Sequence, residues 1–160
     1  MWYQIKDQDD IDKLLAAYYD FHDSCIRSIE YVSGAGVDED GGMHMTSRDC
    51  TAVIMFDSQM PKYHGKPENK SLELRFSGLR RLDLAGYQNM YFSFFDSCDL
   101  ELSESFIVWT GNTDQRPAFY IKDMVLEEPL STTVVADRLE WRFVEPQGLD
   151  EIRTDTSERG

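Results

Sequence analysis

Leu72-Glu73-Leu74-Arg75-Phe76-Ser77 alternates apolar and polar side chains for six residues without a break. Successive side chains of an extended chain point to opposite faces, so this run belongs to a strand with one buried face and one wet face. Leu82 and Leu84 continue the alternation after a bend near Gly78. A strand of this kind commits the chain to a sheet, and the rest of the sequence supplies the other strands.

Cys25 to Val32 is rich in β-branched and aromatic residues and predicts a long first strand. Ser33-Gly34-Ala35-Gly36 breaks it, and Asp38 to Gly42 reads as a flexible acidic loop. From Met43 onward the strand pattern dominates. Thr51, Val53 and Met55 alternate with Ala52, Ile54 and Phe56, which predicts a strand buried on both faces. Lys62 to Lys70 reads as a polar loop. Met90 to Phe95, Phe106 to Thr110, Phe119 to Leu126 and Leu139 to Val144 are further strand candidates, and Gly111-Asn112-Thr113-Asp114 carries a turn signal. Leu139, Trp141 and Phe143 fall on one face of the last strand.

One helix precedes this series. Ile11, Leu14, Leu15 and Tyr18 share one face of a helix of about three turns, and Asp7 or Asp9 is the expected cap. It should end near Tyr19 to His22. The expected fold is therefore α+β: a mostly antiparallel β-sheet of about eight strands, curved or folded into a sandwich, with one N-terminal helix covering part of it. Residues 1–144 form the expected single globular domain, and 145–160 an acidic, frayed tail. The expected core includes Leu14, Leu15, Phe21, Ile29, Val53, Leu74, Phe76, Phe92, Leu139 and Trp141.

The chain carries 30 acidic and 16 basic residues, a formal net charge of -14. Such a surface repels phosphate backbones and anionic membranes and favours a basic partner. Arg80-Arg81 is an isolated basic pair followed by Asp83, which reads as a strand bend neutralised by carboxylates and not as a nucleic-acid contact. Cys25, Cys50 and Cys98 are an odd number without close spacing, which argues against a disulfide framework. The N-terminal residues lack the basic start and apolar run of a signal peptide, and no apolar run approaches the ~20 residues of a membrane helix. A cytoplasmic location is expected.

The richest polar chemistry is concentrated in Tyr18-Tyr19-Asp20-Phe21-His22-Asp23-Ser24. His22, Asp23 and Ser24 have the residue types of a catalytic triad, but triad members converge from separated positions, whereas consecutive side chains diverge. The alternative is that His22 and Asp23 hydrogen-bond the backbone where helix passes to strand. His22, Cys25, His44, Cys50, His64 and Cys98 are potential metal ligands without close ligand pairs. Asp96, Asp99 and Glu101 near Cys98 lack EF-hand spacing and read as a solvated acidic loop. No catalytic set, metal site or cofactor is therefore expected. Tyr87, Tyr91, Phe92, Phe94 and Phe95 form the densest aromatic cluster, with Tyr87 and Tyr91 the candidates for an exposed contact patch.

Phe21-His22-Asp23-Ser24, running into Cys25 to Val32, resembles the opening of a group of small uncharacterised bacterial proteins in which a short helix leads through a Phe-His-Asp turn to the first strand. Leu72 to Leu79 is similar to that group's second recurring stretch, and the resemblance spans about half of the chain. Some relatives look like the immunity proteins of bacterial toxin systems. The resemblance transfers no catalytic residue; together with the acidic surface and the missing catalytic motif, it implies a non-enzymatic, protein-binding role with a basic protein such as a cognate toxin as partner. Candidate binding residues are His22, Asp23, Tyr87 and Tyr91. The rival expectation is a small enzyme or ligand-binding domain with His22 as its acid–base group.

Overall fold

A computed structural model describes residues 1–45, 50–60, 68–84, 95, 97–111 and 132–146. The fold is α+β. Its elements are β1 (Tyr3–Gln4), α1 (Gln8–Ala17), β2 (Ser24–Val32), β3 (Ala35–Val37), β4 (Met43–Met45), β5 (Thr51–Met60), β6 (Glu68–Asp83), β7 (Cys98–Leu102), β8 (Ile107–Gly111) and β9 (Thr133–Val144). Seven strands form an antiparallel sheet in the order β2-β5-β6-β9-β8-β7, with β1 pairing to β9 beside Trp141. β3 and β4 form a separate two-stranded ribbon.

The alternating run lies at the centre of the sheet. Leu72, Leu74 and Phe76 face Phe56, Ile54 and Ala52 on β5, and Phe143, Trp141 and Leu139 on β9. All of these but Phe143 are buried, and they join Ile11 and Leu14 of α1 in one core with Val134, Ala136, Ile107 and Trp109. Each Val, Leu, Ile or Phe among them contributes about 1.5–3 kcal/mol when fully buried. Asp7 caps α1, its carboxylate accepting from the Asp10 N–H at 3.0 Å.

The opposite face of β6 and β9 is ionic. Arg75 donates to Glu140 at 3.0 and 2.7 Å, and Arg142 donates to Glu73, each pair directly opposed in the register. The guanidinium carbons of Arg75 and Arg142 lie 4.2 and 4.4 Å from the Trp2 ring centroid, a cation–π arrangement.

β6 continues past Gly78, which adopts φ 65° just before the pairing with β9 shifts between Leu79 and Arg81. A Cβ on Gly78 would enter the Asp137 carboxylate, with Cγ at 2.7 Å. Asp137 accepts instead from Arg80 at 2.6 Å, and Arg81 pairs with Asp83, so both arginines are neutralised as the sequence suggested.

Four strand expectations need correction. β5 is not buried on both faces: Thr51, Val53 and Met55 remain half-exposed because their face carries the polar side of the sheet. Cys98 to Leu102 is a strand, not an acidic loop; Leu100 points into the core while Asp99 and Glu101 lie on the other face. Ala35-Gly36 does not simply break the chain but enters β3, and Glu68 to Lys70 already belongs to β6. Leu15 and Ile29 pack against the core but are only partly buried. Phe92, the 119–126 candidate and nearly all of the tail lie outside the described residues.

Candidate functional site

α1 ends at Ala17, and its last carbonyls are taken by the Tyr18 N–H, 3.0 Å from Leu14 O and 3.3 Å from Leu15 O. The chain then enters a tight turn. Tyr19, Asp20 and Phe21 adopt left-handed φ values of 52°, 51° and 63°; Asp23 follows at 55°, after an extended His22. None of the four is glycine. The left-handed conformation brings Cβ against the following carbonyl and costs about 1–2 kcal/mol per residue, less for Asp than for a bulky side chain. Against a total stability of about 5–15 kcal/mol for a typical domain, such strain persists only where the surroundings over-determine it.

The surroundings do so through one anchor and a backbone frame. Phe21 is fully buried, its ring 5.0 Å from Tyr18, 5.2 Å from Phe56 and 5.7 Å from Trp109 between centroids. Ser24 Oγ, also buried, donates to Phe21 O at 2.5 Å. The Phe21 N–H donates to Tyr18 O at 3.1 Å and the His22 N–H to Tyr19 O at 2.8 Å. From outside the turn, Ser58 Oγ donates to His22 O, the Gln59 N–H to Asp23 O and the Phe95 N–H to Ser24 O.

The exposed side of this turn carries Tyr19, Asp20, His22 and Asp23. His22 Nδ1 lies 3.1 Å from Asp23 Oδ2, with the two side chains 48% and 60% exposed. The Tyr19 ring stands edge-on to the imidazole, 5.5 Å between centroids. The expectation that these consecutive side chains diverge therefore fails for His22 and Asp23, because the left-handed φ of Asp23 turns its carboxylate toward the imidazole. Ser24 does diverge from them, and its hydroxyl is committed inward. The bonds to the backbone come from Ser24 and from the main chain of His22 and Asp23.

Beneath the turn, burial pushes the Cys98 thiol far up, opposed in part by the Trp109 indole N–H and assisted by the Asp20 charge. That indole N–H is buried and makes no well-formed hydrogen bond among the described residues, so the thiol beside it is a weak acceptor only. Burial likewise pushes the Tyr18 phenol up, with the Asp57 carboxylate adding to the effect.

The other nominated residues are not brought here. Tyr87 and Tyr91 lie outside the described residues, as do His64 and Asp96. His44 pairs with Asp38 at 2.5 Å on the β3–β4 ribbon, and Cys50 donates to Tyr31 Oη at 3.6 Å. Among the described residues, no three His, Cys, Asp or Glu side chains converge in a group able to hold a metal ion. No described helix is long and apolar enough to cross a membrane. Sequence reasoning missed Tyr19 and Asp20, since Asp20 tolerates left-handed backbone but the bulky Tyr19 and Phe21 beside it give no such signal. No protein-family model, curated protein or solved structure matches the chain.

Proposed function

We propose that this chain is a non-enzymatic protein-binding module of the immunity-protein type, and that the Tyr19–Asp23 turn is its contact element. The observation that carries this reading is the run of left-handed, non-glycine residues presenting an exposed Tyr, two Asp and a His on a buried Phe21 anchor. Backbone strain concentrates where a fixed, unusual side-chain display is useful. A tyrosine supplies rigid contact area. Flanking carboxylates on a chain of net charge -14 steer a basic partner, such as a cognate toxin in the bacterial cytoplasm.

The rival reading, a catalytic or ligand-binding site at His22, has the His22–Asp23 pair in its favour. Against it, both side chains are half-exposed, and the hydroxyl next in sequence is buried and bonded to Phe21 O.

The test is comparative capture from the native host with the wild-type chain and a Tyr19→Ala/Asp20→Asn variant, at low and moderate salt. A stoichiometric basic protein held by the wild type and lost by the variant is expected. Identical capture by both, or no protein partner at either salt, would refute the reading.

A further inference from the structure

β2 ends in solvent, with Tyr31 and Val32 about half-exposed, and leads into the β3–β4 ribbon. Val37 and Met43 are directly opposed across this ribbon, next to its tip, and are 68% and 88% exposed. Side chains opposed in a ladder share one face, so they form an apolar pair that nothing among the described residues covers. Gly36 and His44 occupy the other face, where His44 Nε2 meets Asp38 Oδ2.

Two strands alone are marginal in water, yet this ribbon has a dedicated organiser. Asp38 Oδ1 accepts from the Gly42 N–H at 2.6 Å and the Asp40 N–H at 3.1 Å, while the Asp38 main chain exchanges bonds with Gly42 and Gly41. Polar groups thus hold the backbone, leaving the apolar side chains without an internal packing role. Their setting is acidic: Glu39 and Asp40 are exposed at the tip and Glu30 at the end of β2.

We propose that the β3–β4 ribbon is a docking surface whose Val37–Met43 side seats an apolar patch on a basic protein. The proposal rests on the protein-binding reading above and adds a second contact at the far end of β2 from the Tyr19–Asp23 turn. Charge selects this occupant. A second copy of the chain would bring two acidic tips together, each on a molecule of net charge -14. A surface with apolar side chains ringed by Lys or Arg fills the bare face and neutralises Glu39 and Asp40 together.

The probe is a short peptide of alternating Leu and Lys, titrated into the isotope-labelled full chain while amide shifts are followed. A Ser–Lys peptide of equal length and charge is the control. Saturable Leu–Lys binding with shifts at Val37 and Met43 is expected, weakened about tenfold in a Val37→Thr/Met43→Thr variant. The threonines keep strand propensity while removing apolar surface. Persistence of the Gly42 amide shift reports an intact turn; if it is lost, Met43→Gln alone gives the same reading. Equal binding by Ser–Lys, binding unaffected by the ribbon variants, or no binding would each overturn the proposal. Shifts at the ribbon and at the Tyr19–Asp23 turn are followed separately in the same titration. Failure at the ribbon is therefore distinguishable from failure of the turn to engage a native partner.

Discussion

Tyr19 sits at φ 52° with about half of its side chain in solvent, so replacing it relieves or retains backbone strain without opening a core cavity. The informative comparison is Tyr19→Gly against Tyr19→Ala. In an ordinary helix, glycine is the worse of the two by about 1 kcal/mol, because the unfolded glycine chain is more flexible. At a left-handed position the alanine Cβ retains a cost of about 1–2 kcal/mol that glycine avoids. Subtracting a glycine entropy penalty of about 0.5–1 kcal/mol leaves Tyr19→Gly more stable than Tyr19→Ala by about 0.75 kcal/mol at the midpoints of the two ranges. The lost edge-on contact with His22 is common to both variants and cancels. Equilibrium urea unfolding at unchanged m-value measures the difference, which corresponds to about 1–4 °C in Tm for a chain of this size. If alanine proves the more stable, the turn is not strained at Tyr19 and the argument from strain to function loses its basis.

His22→Ala should change stability by less than about 0.5 kcal/mol, because the imidazole is half-exposed and so is its partner Asp23. A loss of about 1–3 kcal/mol, expected for a buried, backbone-bonded histidine, would contradict this placement. Gly111→Ala would push a methyl group into the Phe95 ring and to 3.0 Å from Trp109 Cη2, so it should cost about 1–3 kcal/mol in urea unfolding. The His44 pair and the Gly42 and Asp40 N–H groups hold the Asp38 carboxylate below its usual range. A depressed carboxyl pKa contributes stability that is present above the unfolded value and lost as pH falls through the folded one. The Gly42 amide of the ribbon should therefore lose exchange protection only below about pH 4; loss already at pH 6 would contradict this.

Much of the sheet was legible because its strongest signals coincide with full burial on one face. Leu72, Leu74 and Phe76 alternate cleanly, and the Asp7 cap with Ile11 and Leu14 marks α1. Cys98 to Leu102 was hidden because its two outward positions are acidic, although Leu100 between them carries the period-two signal. Val53 and Met55 suggested a doubly buried strand, since apolar type alone does not say what the neighbouring strands place beside them. The ion pairs of Arg75 with Glu140 and Arg142 with Glu73 depend on a register between strands about 65 residues apart and could not be read locally. At the candidate site, the sequence located the turn and nominated His22 and Asp23. It did not reveal the left-handed backbone that pairs those side chains and brings Tyr19 and Asp20 beside them, because Phe21 packing, a tertiary effect, holds that conformation.

We propose that the Tyr19–Asp23 turn binds a basic protein. The most direct measurement is the affinity of the purified partner captured from the host for the wild type and for Asp20→Asn/Asp23→Asn, which keeps shape and removes two charges. A Kd at least about tenfold weaker is expected for the variant, arising mainly from slower association, with a smaller salt dependence. An unchanged Kd and an unchanged salt dependence would contradict it.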